Sequence, residues 1–123
     1  MNILILQASP RANGNTAWMA EEYKNAAEAA GHKVTLVNVS RKKIAGCQAP
    51  IQRMYCVNAP AKVKKMALLM SSYSPGVYSG ATAEYHDICN YWKAEDSGIV
   101  TAKIDEQKTD ETKQKIQSIV NNL

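Results

Sequence analysis

The chain has 123 residues, 46% of them apolar and 21% charged, and 15 basic against 11 acidic side chains leave a net charge of +4. These values suit a single soluble domain over residues 1–123, with a core of its own and little room for a second. Cys47, Cys56 and Cys89 form no C-x-x-C pair and have no histidines grouped with them, which argues against a disulfide scaffold or a metal site. Ile3–Leu6 is too short for a signal peptide or a membrane span, so a cytoplasmic setting without a membrane partner is expected.

Asn2 to Ala8 is a short, nearly continuous apolar run, as expected of a strand buried on both faces. Ser9-Pro10-Arg11-Ala12-Asn13-Gly14 is turn chemistry, after which Asn15 or Thr16 can cap a helix. That helix is expected to run to about Ala30, with Trp18, Met19, Tyr23, Ala26 and Ala27 at helical spacing and Gly31 as its stop. Lys33 to Val39 alternates and is rich in β-branched residues, which predicts a second strand. These forty residues form one β-α-β unit with parallel strands and a right-handed crossover.

Ser40 to Cys47 is irregular, and Ala49 to Val57 reads as a short helix ended by Pro60. Lys65 to Ser72 is a third strand, apolar enough to be central. Tyr73 to Gly80 is a second loop rich in Ser, Pro and Gly. Ala81 to Lys93 reads as a helix with Tyr85, Ile88, Cys89 and Trp92 inward. Gly98 to Ala102 is a fourth strand. Thr109 to Asn121 is an amphipathic helix with Thr109 or Asp110 as cap and Ile116, Ile119 and Val120 inward. Alternation of strands and helices predicts an α/β, three-layer open parallel sheet with helices on both faces.

In such sheets ligands sit beyond the carboxyl ends of the strands. The loop Ser9–Thr16 joins a strand to a helix N-terminus, where free N–H groups and the helix dipole attract an anion. Ser9, Asn13, Asn15 and Thr16 add polar donors, Arg11 adds a bidentate cation, and the loop has no carboxylate. It lacks both the P-loop and the G-x-G-x-x-G pattern. These residues suit a phosphate monoester; the same composition also suits a polar turn with an ordinary helix cap. Lys33, Arg41, Lys42, Lys43, Arg53, Lys62, Lys64 and Lys65 lie in one stretch without an acid. With no nucleic-acid motif among them, they read as solvated surface rather than a nucleic-acid site.

The run Asn2-Ile-Leu-Ile-Leu-Gln-Ala-Ser-Pro-Arg-Ala-Asn-Gly-Asn-Thr16 resembles the opening of the NAD(P)H-dependent FMN reductase family, whose fold is flavodoxin-like. Gly46-Cys47, Ala49 to Tyr55, Ser71 to Gly76 and Gly98 to Ala102 resemble later family segments in the same order. The resemblance implies that FMN is the cofactor and NAD(P)H the reductant, with a flavin or quinone as acceptor. It assigns the FMN phosphate to the loop carrying Ser9, Arg11, Asn13, Asn15 and Thr16. No side chain is implied as acid or base, because the flavin carries the chemistry.

The chain departs from the family between Gly46-Cys47 and Ala49-Pro50. Family members place there a helix, the central third strand and a loop that packs on the isoalloxazine ring, so this chain reads as having an internal deletion. Ring contacts then fall to Ser72, Tyr73, Ser74 and Gly76, with Trp18 or a partner chain as further sources. The usual strand order 2-1-3-4-5 is expected to shorten to a four-stranded 2-1-3-4, with Lys65–Ser72 beside Asn2–Ala8. Alternatively, two chains exchange elements or pair sheet edges in a dimer. The competing reading of function is a shortened, non-enzymatic flavodoxin-like protein that binds flavin weakly or not at all and self-associates. Tyr73 and Tyr78 suit either stacking on a ligand or packing on their own loop. Trp92 reads as core, His86 as helix surface without a triad, and Cys47 as non-catalytic.

Overall fold

A computed structural model describes residues 1–9, 11, 13–39, 62–72, 76–103 and 106–123. In chain order these form β1 (Asn2–Gln7), α1 (Asn15–Ala29), β2 (Lys33–Asn38), β3 (Lys65–Ser71), α2 (Ser79–Trp92), β4 (Glu95–Ala102) and α3 (Asp110–Asn121). The helix expected over Ala49–Val57, with Cys47 and Cys56, lies outside the described residues. Every other expected element is present, with no end shifted by more than three residues.

β1 and β2 pair in parallel, in unbroken register from Asn2 opposite Lys33 to Gln7 opposite Asn38. Parallel neighbours require a crossover, and α1 supplies it. Gly31 ends α1 as its sequence position suggests, at φ +90°. The N–H of His32 donates to the Ala27 carbonyl and that of Gly31 to the Glu28 carbonyl, both at 3.0 Å. This is a Schellman closure, which turns the chain back towards the sheet. At the other end the N-cap is Gly14, and no side chain caps the helix. The expected caps Asn15 and Thr16 already lie within the first turn, and their side chains are engaged elsewhere.

β3 and β4 form a second parallel pair with a bulge. Met66 faces Asp96 and Leu68 faces Ile99, so β4 carries one extra residue between these pairs. Gly98 sits there at φ +127°, a backbone region that side chains disfavour. Asp96 holds the bulge, its Oδ1 accepting from the Gly98 N–H at 2.8 Å and from the Tyr85 hydroxyl at 2.7 Å. For this reason β4 begins at Glu95, ahead of the Gly98 start read from the sequence.

The described strands do not form the expected four-stranded order 2-1-3-4: β1 pairs with β2, β3 pairs with β4, and the two pairs are separate sheets. A shared helix explains how they still share a core. α1 packs on β1, β2 and β3, and α3 packs on α1 and β4. A helix about 10 Å across seats several strands without requiring that β1 and β3 be hydrogen-bonded neighbours. Met19, Tyr23 and Ala27 of α1 meet Val100 and Ala102 of β4 and Ile116, Ile119 and Val120 of α3, with Ile3, Ile5, Ala67 and Leu69 packed around them. Met19 and Ile116 are fully enclosed, each burial worth about 1.5–3 kcal/mol.

α2 buries Ala81, Tyr85, Ile88 and Cys89 apart from that cluster, against β3 and β4. Trp92, expected in the core, is half-buried, and its indole N–H is enclosed without a hydrogen-bond partner among the described residues. β1 is not buried on both faces. Ile3 and Ile5 face the core, but Leu4 and Leu6 on the other face are 62% and 42% exposed.

Candidate functional site

The carboxyl ends of β1, β3 and β4 carry three polar segments: Ser9–Thr16, Ser71–Tyr78 and Glu106–Thr109. The first grows out of Gln7, which is buried at the end of β1. Its Nε2 donates to the Ser9 carbonyl at 3.1 Å, while its Oε1 is enclosed without a partner among the described residues. The Ser9 hydroxyl accepts from the Arg11 N–H at 3.3 Å, and the Arg11 carbonyl accepts from the Gly14 N–H at 3.2 Å. These two hydrogen bonds tie Ser9, Arg11 and Gly14 together. A Cβ on Gly14 would lie 3.0 Å from the Arg11 Cβ, so the turn needs glycine for closeness rather than for φ.

With no side chain on its cap, α1 presents its first N–H groups to this turn. Arg11 and Asn13 are exposed beside it, and among the described residues the Arg11 guanidinium forms no ion pair. The contrast with α3 is direct. There the Thr109 hydroxyl accepts from the Thr112 N–H, the cap that the sequence indicates.

Asn15 and Thr16 reach across to the other sheet. The Thr16 and Ser71 hydroxyl oxygens are 2.7 Å apart. Asn15 Nδ2 donates to Gln107 Oε1, and Gln107 Nε2 donates to the Ser72 carbonyl at 3.2 Å. Lys108 Nζ donates to the Asn13 carbonyl at 3.2 Å. The structure therefore brings Ser9, Arg11, Asn13, Asn15, Thr16 and Ser72 to one rim. Gly76 is exposed at φ +76° in the turn before α2. Tyr73 and Ser74 lie outside the described residues.

The Tyr78 hydroxyl reaches out of its loop and donates to the Ala102 carbonyl at the end of β4 at 3.0 Å, and burial pushes its pKa up. His86 is half-exposed, as read, but it has an acidic neighbour, with Nε2 3.4 Å from Asp96 Oδ2. Cys89 is a buried free thiol whose pKa is raised by desolvation, which makes it a poor nucleophile. Lys65 pairs with Glu95 at 3.6 Å and donates to the Leu123 carbonyl at 3.0 Å, so it ties β3 to its neighbours. The residues missed from sequence are Gln107 and Lys108. The available signal was positional: Glu106–Thr109 follows a parallel strand and belongs to the same rim as the other two loops.

Among the described residues no helix is long and apolar enough to cross a membrane, and no three His, Cys, Asp or Glu side chains are grouped to hold a metal ion. Parallel strand pairs with helices, and a strand-to-helix turn rich in donors and free of acids, define an α/β protein compatible with the flavodoxin-like fold. Residues 1–72 match the model of the NADPH-dependent FMN reductase family, and the chain belongs to that family. No curated protein and no solved structure matches the chain.

Proposed function

We propose that this protein is an FMN-binding, NAD(P)H-dependent oxidoreductase of the flavin or quinone reductase kind. The observation that carries the proposal is the uncapped start of α1 above an acid-free turn, within a family match that spans this turn. The donor set fits a phosphate monoester: N–H groups of the first helical turn, the Arg11 guanidinium, the Asn13 amide and the Ser9 hydroxyl. Asn15 and Thr16 support this turn from below through Gln107 and Ser71. Ser72, Tyr73, Ser74 and Gly76 are the candidates to meet the flavin ring. Bound FMN would supply the hydride-accepting ring, so the protein's own residues serve to hold and orient rather than to exchange protons. The proposal takes residues 1–123 as one shortened flavodoxin-like domain with an internal deletion, working in the cytoplasm on flavin and nicotinamide nucleotides.

Purified protein should be yellow, or should quench the fluorescence of added FMN with micromolar or tighter affinity. It should then oxidise NAD(P)H when a flavin or quinone is supplied. Colourless protein that leaves FMN fluorescence unchanged rejects the proposal.

A second reading is favoured by one observation, the exposed Leu4 and Leu6 on a parallel strand whose sheet has two members among the described strands. In that reading the chain is a non-enzymatic flavodoxin-like protein that binds flavin weakly or not at all and self-associates through this face. Sedimentation of flavin-free protein as a dimer, together with no FMN quenching, selects it.

A further inference from the structure

On the reading that this chain holds FMN, we infer that Gln107 is a positioning residue that fixes the separation between the phosphate grip and the ring grip. The two grips belong to different sheets, and among the described strands no pairing joins those sheets. Among the described residues the packing of α1 on both sheets sets their coarse placement, side-chain hydrogen bonds set the spacing of the two loops, and Gln107 is bonded to both loops. Its Oε1 accepts from Asn15 in the first turn of α1, and its Nε2 donates to the Ser72 carbonyl at the end of β3. A single planar amide thus spans the two loops with one donor and one acceptor, which fixes its orientation as well as its reach.

The turn that carries Gln107 is itself held. The hydroxyls of Thr109 and Thr112 both donate to the Glu106 carbonyl, at 2.6 and 2.7 Å, and Thr112 is fully buried. Lys108 adopts φ +57°, a left-handed conformation that costs a lysine energy and is kept where the surroundings demand it. That conformation accompanies the bond from Lys108 Nζ to the Asn13 carbonyl in the phosphate grip. Glu106–Thr109 is thus a braced strut standing on α3, with its tip between the two loops.

A ligand that engages both grips gains from their fixed spacing, because the second contact forms at high effective concentration once the first is made. A ligand that engages one grip gains nothing from it. Gln107→Met keeps length and shape and removes both hydrogen bonds. It should weaken FMN binding about tenfold, a loss of the size of one or two hydrogen bonds, while changing the affinities of inorganic phosphate and of riboflavin less than twofold. Gln107→Asn, too short to span the gap, should show the same pattern and guards against a folding defect peculiar to Met. FMN binding is read by fluorescence quenching, phosphate by competition, and folding by the thermal melt. A role confined to folding would lower all three affinities or the melting temperature together, and that result overturns the inference. So does an FMN affinity left unchanged in both variants while the parent binds. A parent that fails to bind FMN instead rejects the proposed function, and with it the role of Gln107.

Discussion

The hydroxyl oxygens of Thr16 and Ser71 lie 2.7 Å apart, which joins the first turn of α1 to the end of β3. The hydrogen bond ties the helix that follows β1 to the β3–β4 sheet at the end where the candidate site lies. Thr16→Val and Ser71→Ala should each cost about 1 kcal/mol of stability, the net worth of a neutral hydrogen bond. Because both remove the same bond, the double variant should cost clearly less than the sum. A double-mutant cycle in urea unfolding measures this coupling. Additive losses would show that the two hydroxyls act independently.

Arg11→Ala should weaken FMN binding by about 1.5–3 kcal/mol, the value of a hydrogen bond to a charged group. Arg11 is exposed and its side chain forms no ion pair among the described residues, so folding stability should barely change. Raising the salt concentration should weaken FMN binding in the parent and do so less in the variant, since screening acts on the cation that has been removed. FMN fluorescence titrations at two ionic strengths check both points. Equal affinities for parent and variant would exclude Arg11 from the phosphate grip.

How much of this was legible in the sequence depends on the range of the interaction. The Gly31 closure of α1, the Thr109 cap of α3 and the inward Ile116, Ile119 and Val120 are set by residues within one or two turns of each other, and all were readable. The turn Ser9–Gly14 was readable for the same reason. Strand adjacency was not. The apolar content of Lys65–Ser71 shows that it wants burial but not which strand lies beside it, and the expected pairing with β1 is replaced by packing on α1. The bulge at Gly98 was hidden because its support, Asp96 held by Tyr85, joins two different elements. Gln107 was missed because its partners, Asn15 and Ser72, are far from it in the chain.

The Tyr85 hydroxyl lies 2.7 Å from both the Met66 carbonyl and Asp96 Oδ1, and burial, then the bond to Asp96, raise its pKa above the ordinary 10.0. Burial also raises Tyr23, Tyr78 and Cys89. A raised acid keeps its proton in the folded state after the unfolded chain has lost it. The folded state then binds more protons, and stability falls as pH rises. The decline should begin near pH 9, where the unfolded thiol ionises, and steepen near pH 10 with the phenols. Tyr85→Phe should cost about 1–3 kcal/mol at neutral pH and make the alkaline decline shallower. Urea unfolding from pH 7 to 11 tests both, and an unchanged alkaline slope in the variant would contradict the assignment.

Gly98 combines φ +127° with crowding, since an added Cβ would lie 3.1 Å from Ile119 Cδ1. Gly98→Ala should therefore destabilise by about 1–3 kcal/mol through backbone strain and displacement of Ile119 from the core. Shortening the opposing residue by Ile119→Val removes the nearer crowding atom, Cδ1, and leaves the backbone strain, so the double variant should regain part of the loss and not all of it. Thermal melts of the three variants separate the two contributions. Full recovery would mean that the backbone at Gly98 is unstrained.

Parallel strands are ordinarily covered on both faces, and β1 is not. Ile3 and Ile5 pack on the core, while Leu4 and Leu6 project from the opposite face, 62% and 42% exposed. Apolar side chains arranged along one strand favour association by burial. The expected outcome is a dimer at micromolar concentration in sedimentation equilibrium. Leu4→Glu with Leu6→Glu should shift it to monomer, because two carboxylates cannot be buried in a shared apolar contact. The core face of β1 is untouched by these changes, so the variant should still melt cooperatively. If the parent sediments as a monomer and melts cooperatively, the exposed face needs no partner and the self-association reading fails.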